Sequence, residues 1–305
     1  MRRYLILRIL QAILAIFAVS FIVFVTTRLS GDVTILMLPF DATEENRLQF
    51  RQELGLDKPL YIQYGIFLIH AARGDLGESH RWRKPAMKLI LDRMPATIQL
   101  ASVSVLFTVV FAIPIGVISA VRPGSWMDTI GKTFALLGQS MPNFWVGLLL
   151  ILIFAVRLDL LPPAGRGGWQ HLVLPAITLG SGAMAAVTRL TRSGMLDVMD
   201  SEFIKMARIK GIPEHLVIWK HGLKNAAIPV VTVLGLQIAG LLGGSVIAET
   251  IFSWPGVGKQ IVDAIYARDY AVVQAGVLLT SIIHVGANLG VDVLYAYIDP
   301  RIRYA

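Results

Sequence analysis

Between Ile9 and Thr27 the chain runs nineteen residues without a charge, and five further long apolar runs follow. A run of about 18 or more such residues is long enough to cross the hydrocarbon core of a bilayer as a helix. Backbone polar groups in lipid must bond within their own segment or around a closed barrel. Barrel strands are about ten residues long and alternate in polarity. These runs are longer and continuous, which predicts an all-α integral membrane protein with six transmembrane helices. The spans fall at about 9–27, 97–121, 134–156, 172–190, 226–249 and 275–298. Charged residues make up 16% of the chain, against about a quarter in soluble domains. The N-terminus "MRRYLILRIL" resembles the start of a signal peptide. Its apolar run is too long for one and no small-residue cleavage site follows, so it reads as an uncleaved first span.

A net charge of +8 on a soluble chain would point to nucleic acid. Here the basic residues flank the spans, where they report membrane orientation instead, and no nucleic-acid partner is expected. With the N-terminus inside, the inner segments carry fourteen Lys and Arg, seven of them between 189 and 225. The two short outer loops carry Arg157, Arg166, Lys259 and Arg268. Both termini are therefore expected in the cytoplasm. The absence of cysteine excludes disulfides and thiolate chemistry.

The chain divides into residues 1–27 (N-terminus and first span), an extracytoplasmic loop 28–96, and a five-span core 97–305 with a cytoplasmic loop at 191–228. In loop 28–96, Leu48 and Leu54, then Leu60, Tyr64, Phe67 and Leu68, recur at helical spacing. This predicts short helices packed on the outer ends of the spans, or a docking surface for something arriving from outside.

The cytoplasmic stretch "SEFIKMARIKGIPEHLVIWKHGLKNAAIP" is unusual for so apolar a chain. Asp200 or Ser201 is placed to cap a helix over 201–210, with Glu202 in its first turn and Arg208 and Lys210 in its last. Gly211 supplies the left-handed residue that ends such a helix, and Pro213 restarts the chain. Leu216, Trp219 and Leu223 then share one face; Glu214, His221, Lys224 and Asn225 share the other. A membrane-surface helix would be richer in cations, and a plain loop needs neither caps nor apolar faces. A helix pair that docks on a partner needs both.

Within the spans, Gln139, Ser140 and Asn143 surround Pro142 and could bond a freed carbonyl or a solute; a packed kink competes with that reading. His284, Asn288 and Asp292 form a stripe in the last span, read as interhelical bonding, solute or ion contact, or a proton relay. "WPGVGKQ" imitates a phosphate-binding loop, but Ser253 stands where the first glycine belongs and Gln260 follows the lysine. An intramembrane enzyme would need paired carboxylates, a nucleophile–base pair or a metal cluster. His284 and Asp292, two helical turns apart (about 12 Å), supply none of these. No catalytic or metal site is expected. A self-sufficient secondary transporter or channel would have no use for the docking helices.

The whole chain resembles the permease subunits of ABC importers for dipeptides, oligopeptides and nickel, and the first permease subunit in particular. The resemblance rests on "RRYLILRIL", "LGLDKPLYIQY", "RGDLGES", "RMPATIQLA", "SMPNFWVGLLL", "AETIFSWPGVGK" and "NLGVDVLYAYIDPRIRYA". The cytoplasmic stretch resembles that family's ATPase-coupling loop. Against the general pattern of such loops it keeps Ala207, Gly211 and Leu223, but has Lys205, Met206, His221 and Lys224 at other conserved positions of the pattern.

The resemblance implies a type I ABC importer permease in a bacterial or archaeal cytoplasmic membrane. It would pair with a second, homologous permease, two ATPase subunits and an extracytoplasmic solute-binding protein. ATP and Mg would sit on the ATPases, with no cofactor on this chain. The coupling loop would comprise Glu202, Lys205, Ala207, Arg208, Lys210, Gly211, Glu214, His215, Trp219, His221 and Lys224. Gln139, Ser140, Asn143, His284 and Asn288 are candidates for the pathway. The expected solute is a peptide, with nickel chelates, glutathione or an oligosaccharide as alternatives.

Overall fold

The computed structural model describes residues 2–29, 43–53, 55 and 57–298, and these form helices and turns. Helix α1 is Arg2–Leu29. In the following loop lie α2 (Glu44–Glu53), α3 (Leu60–Ala72) and α4 (Ala86–Leu91). Helix α5 is Met94–Val121, α6 Trp126–Ser140 and α7 Asn143–Leu150, which continues as a π-helical segment to Arg157. Helix α8 is Gln170–Met199 and α9 Glu202–Ile209. Helix α10 (Glu214–Leu216) runs through a π-helical segment, Val217–Gly222, into α11 (Leu223–Leu242). Helices α12 (Val246–Ile251), α13 (Val257–Tyr266) and α14 (Tyr270–Ile298) complete the chain.

Among the described residues, five helices are long and apolar enough to cross a membrane, or six if a bent pair counts as one span. That pair is the third span, expected over 134–156, and it bends at the proline that the sequence marked as a break or a packed kink. The chain breaks at Met141–Pro142, and the two halves meet at 107°. Proline lacks the amide that would bond back into the preceding turn, and it pushes the residue before it out of the helical region. Met141 accordingly has ψ 130. The fifth span also stops earlier than the expected 249. It ends at Leu242, because Gly244 turns the chain at φ +89.

The core is a parallel pair, α5 and α8. Thr108 Oγ1 donates to the Gly180 carbonyl (3.3 Å) and Thr188 Oγ1 to the Ala112 carbonyl (3.3 Å), so both helices run the same way. Small residues allow this approach, as is usual between helices in lipid. A Cβ on Gly116 would stand 2.6 Å from Thr191 Cβ. Helix α11 packs antiparallel to the pair, with Gln237 Nε2 donating to Thr108 Oγ1 at one end and Ala226 against Val117 and Met195 at the other. Helix α14 lies antiparallel to α11. Helix α1 closes the row: Gln274 donates to Thr27 (2.7 Å), and eighteen residues along α14 Asp292 pairs with Arg8 (3.2 Å). The chain direction thus puts Arg8, Arg122, Asp292 and the α9–α10 hairpin at one end of the bundle.

At the opposite end the loop after α1 packs down as a cap. Tyr64 and Phe67 of α3 stack on each other and meet Phe24 at a tilt, and the Tyr64 ring also meets Phe17 and Phe21 edge-on. Its hydroxyl bonds Ser20 at 2.8 Å. Leu54, at helical spacing in the sequence, lies outside the described residues, as do residues 30–42 and 299–305.

Candidate functional site

The hairpin after α8 is built around Gly211. The Gly211 amide donates to the Arg208 carbonyl (2.9 Å) and the Ile212 amide to the Ala207 carbonyl (3.2 Å), the paired bonds of a Schellman ending. Gly211 has φ +75, and a Cβ there would meet nothing within 4 Å. The left-handed backbone, not lack of space, requires glycine. Ile204, Ala207 and Val217 form a small core under the turn, with Ile212 against it. Ser201 takes the capping position, but its hydroxyl donates back to the Val198 carbonyl instead of capping α9.

Across the turn Arg208 donates from Nε and Nη2 to the Glu214 carboxylate (3.2 and 2.8 Å). The turn brings these two charges together as one ion pair. The Arg208 bond holds the Glu214 carboxyl below the usual range, and the same bond raises the Arg208 guanidinium. Lys205 pairs with Glu202 one turn back (2.8 Å). Lys210, His215 and Lys224 are exposed; His221 is half-buried and its carbonyl accepts from Asn225.

The face expected to join Leu216, Trp219 and Leu223 is split. A π-helical turn has a longer period than 3.6, so the residues turned inward are Val217 and Gly222, while Leu223 packs beside Met195. Leu216 and Trp219 stay outside, Trp219 at 45% exposure. Three apolar residues that the sequence did not single out join them: Phe203, Met206 and Ile209, the last 78% exposed. Their spacing of three was visible, but Ile204 and Ala207 share that spacing and are buried. Only packing told the two faces apart.

The pathway candidates separate. Ser140 Oγ donates within its own helix to the Leu136 carbonyl (2.8 Å). Asn143 opens α7, and its Oδ1 would be 3.1 Å from a Cβ on Gly182 of α8. His284 Nδ1 lies 3.3 Å from the Ala239 carbonyl of α11. Asn288 is half-buried one turn further along. The Gln139 side chain lies outside the described residues. Asn143 and His284 therefore sit on different helix pairs, and Asp292 is engaged by Arg8. Among the described residues no cluster of His, Asp or Glu could hold a metal ion.

Residues 112–304 match the family described as binding-protein-dependent transport system inner membrane component. Residues 1–101 match its N-terminal companion. The chain belongs to this family. It is a permease subunit of an ABC importer, sits in the inner membrane, and works with ATPase and binding-protein partners. The glutathione transport system permease protein GsiC of Escherichia coli (strain K12) is 43% identical to this permease over 305 residues, covering 100% of both chains. The protein of the same description from Salmonella typhi is 42% identical over the same span. These relatives are transport subunits, not enzymes. A solved structure of the MetNI methionine ABC transporter in inward-facing conformations matches with a TM-score of 0.52 at 19% identity. It covers 68% of this chain and 96% of that one, and the likeness concerns the fold alone.

Proposed function

We propose that this permease forms half of a translocation pathway for small peptides of the glutathione class, beside a second, homologous permease. Two ATPase subunits, which carry the ATP and Mg, grip the α9–α10 hairpin, and an extracytoplasmic binding protein delivers the solute. The observation that carries the coupling assignment is the hairpin itself. Phe203, Met206, Ile209, Leu216 and Trp219 project from a turn locked by the Gly211 ending and the Arg208–Glu214 pair. A rigid helix pair with outward apolar anchors is what a groove on another protein recognises. The solute class is supported by full-length likeness to glutathione permeases at 43% identity.

Two measurements test this. Co-purification from detergent should recover two ATPase subunits per permease pair, and Trp219→Ala should lower that recovery. Full ATPase retention in Trp219→Ala together with Ile209→Ala would remove the hairpin from the coupling role. The cognate binding protein, purified with its ligand and read by mass spectrometry, should carry glutathione or a short peptide; a nickel chelate or a sugar would overturn the solute class.

A further inference from the structure

The hairpin is built onto the last turns of α8. Val198 and Met199 pack against the small core of Ile204, Ala207 and Val217, and Ser201 Oγ donates to the Val198 carbonyl. On the far side of the turn, a Cβ on Gly222 would stand 3.0 Å from Met195 Cε and 3.3 Å from Met199 Sδ. Close-packed side chains transmit displacement instead of absorbing it. A pull on the hairpin therefore moves the end of α8 with it.

Seven residues before Met199, about 10 Å back along the helix, Arg192 reaches across to α6. Its Nε donates to Asp128 Oδ1 (2.8 Å) and its Nη2 to Oδ2 (3.2 Å). Asp128 lies in the first turn of α6 and is fully buried. Lys132 one turn on (2.8 Å) and the Gly124 amide (3.0 Å) also bond it. A two-pronged bond between guanidinium and carboxylate fixes both distance and angle. The rest of α6 is held loosely by comparison. Thr129, Thr133 and Ser140 bond carbonyls one turn back, at Ser125, Thr129 and Leu136. Where α6 comes close to its neighbours it presents glycine. A Cβ on Gly131 would stand 2.6 Å from Ser119 Oγ of α5, and one on Gly138 3.1 Å from the Ser181 carbonyl of α8. Glycine lets backbones approach but interlocks nothing. Beside these points α6 borders apolar cavities of about 510 and 210 Å³, and a void supplies no contacts.

On the reading of the hairpin as the ATPase contact, we propose that Arg192 and Asp128 are a positioning pair for transport, the joint that carries motion of the hairpin into the third span. From Asp128 the helix runs twelve residues to Ser140, and the chain breaks at Pro142. Beyond the break, α7 packs fourteen residues earlier on α8, at Thr178, and against Phe252 at the opposite end of the bundle. A Cβ on Gly147 would stand 3.3 Å from each. A tilt of α8 driven from the hairpin displaces Arg192 more than Thr178. Asp128 follows Arg192, and the bend at Pro142 takes up the difference. Ser140 and Asn143 flank that bend, so two of the pathway candidates stand where the motion arrives.

The whole importer is purified with its ATPases, and the binding protein is added with the ligand it carries when isolated. The chain has no cysteine, so spin labels at Thr129→Cys with Asp200→Cys, and at Thr129→Cys with Tyr266→Cys, report on this subunit. All three positions are exposed. Between the nucleotide-free and ATP-bound states the Thr129–Asp200 separation should hold, while the Thr129–Tyr266 separation shifts. In Asp128→Asn the Thr129–Asp200 separation should no longer hold. Stimulation of ATP hydrolysis by the binding protein should fall roughly tenfold in that variant, with the ATPases retained at full stoichiometry. Lys132→Gln removes a charge from the same carboxylate but no bond between helices, and should stay near the parent. Arg192→Lys keeps the charge balance and loses the two-pronged bond; it should lose stimulation too, and it decides the matter where Asp128→Asn fails to assemble. The joint is overturned by a Thr129–Asp200 separation that changes in the parent, or a Thr129–Tyr266 separation that does not. Full stimulation in Asp128→Asn or Arg192→Lys, or an equal loss in Lys132→Gln, overturns it as well. Retention of the ATPases by Trp219→Ala would strike the hairpin reading instead and leaves these measurements as they stand.

Discussion

The two connections that join the last three spans treat their tryptophans in opposite ways. At the end of the bundle opposite the α9–α10 hairpin, the chain after α11 folds back over the start of α5. Trp254 is completely buried, and its Nε1 donates to the Ala96 carbonyl (2.9 Å). Glu249 beside it is also sealed, accepting from the Thr97 hydroxyl (3.0 Å) and the Lys259 amide (2.9 Å), while Thr97 accepts from the Val257 amide. Burial pushes the Glu249 carboxyl up, against the pull of these donors. At the other end, the α9–α10 hairpin is equally well ordered inside, yet it leaves Trp219 and four other large apolar residues in the open. The first connection satisfies its tryptophan and its carboxylate within this chain, with Ile247 and Tyr266 left exposed on its surface. The hairpin leaves its tryptophan and these neighbours open, and the proposed ATPase contact would cover them.

The largest expected difference between the two is at the tryptophans. Trp254→Ala should cost about 3–5 kcal/mol, because a filled site among Ala96, Leu100 and Leu172 is emptied. Trp219→Ala should leave the melting midpoint of the permease alone unchanged and act only on ATPase attachment. Thermal unfolding with and without the ATPases measures both. Equal midpoint losses would erase the distinction between a finished and an unfinished connection.

Next in size is Glu249→Gln. Both carboxylate oxygens face donors, so an amide must turn its NH₂ toward one of them. The loss should be about 1–3 kcal/mol. An unchanged midpoint would mean that water, not this carboxylate, satisfies the outer turn.

Gly211→Val sharpens the other side of the comparison. A branched residue in the left-handed region costs roughly 1–2 kcal/mol locally. Membrane insertion should persist, because the spans are stabilised separately, while ATPase stoichiometry and solute-stimulated hydrolysis should fall. Retention of both would show that the angle between α9 and α10 does not matter.

The smallest effect is a pH dependence. Glu214 sits below its ordinary value of 4.5 because of Arg208. A depressed carboxylate contributes stability that is present above the unfolded value and lost as pH falls through the folded one. The hairpin should therefore be indifferent to pH from 7 to about 5 and loosen only below about 4.5. Glu214→Gln should abolish that acid limb in protease-accessibility assays of the hairpin. A limb that survives in Glu214→Gln belongs to other groups.

The residue order by itself determined that this chain spans a membrane, about where five of its helices lie, and that Gly211 ends a helix. Each is a local demand. Twenty apolar residues satisfy their own backbone as a helix in lipid, and only glycine takes the left-handed turn cheaply. Tertiary structure decided what local demand leaves open. Pro142 was legible as a perturbation, but the 107° angle was not, nor that Arg192 of α8 would hold the start of α6 through Asp128. Arg208 and Glu214 were each legible as charges; that they pair follows from the turn bringing residues six apart together. Phe203, Met206 and Ile209 share a spacing with their buried neighbours, so the sequence carried no mark of which face would be covered. The parallel packing of α5 and α8 comes from contacts about 75 residues apart in the chain, such as Thr188 with Ala112. A sequence period reports the geometry of one helix and is silent about its neighbours.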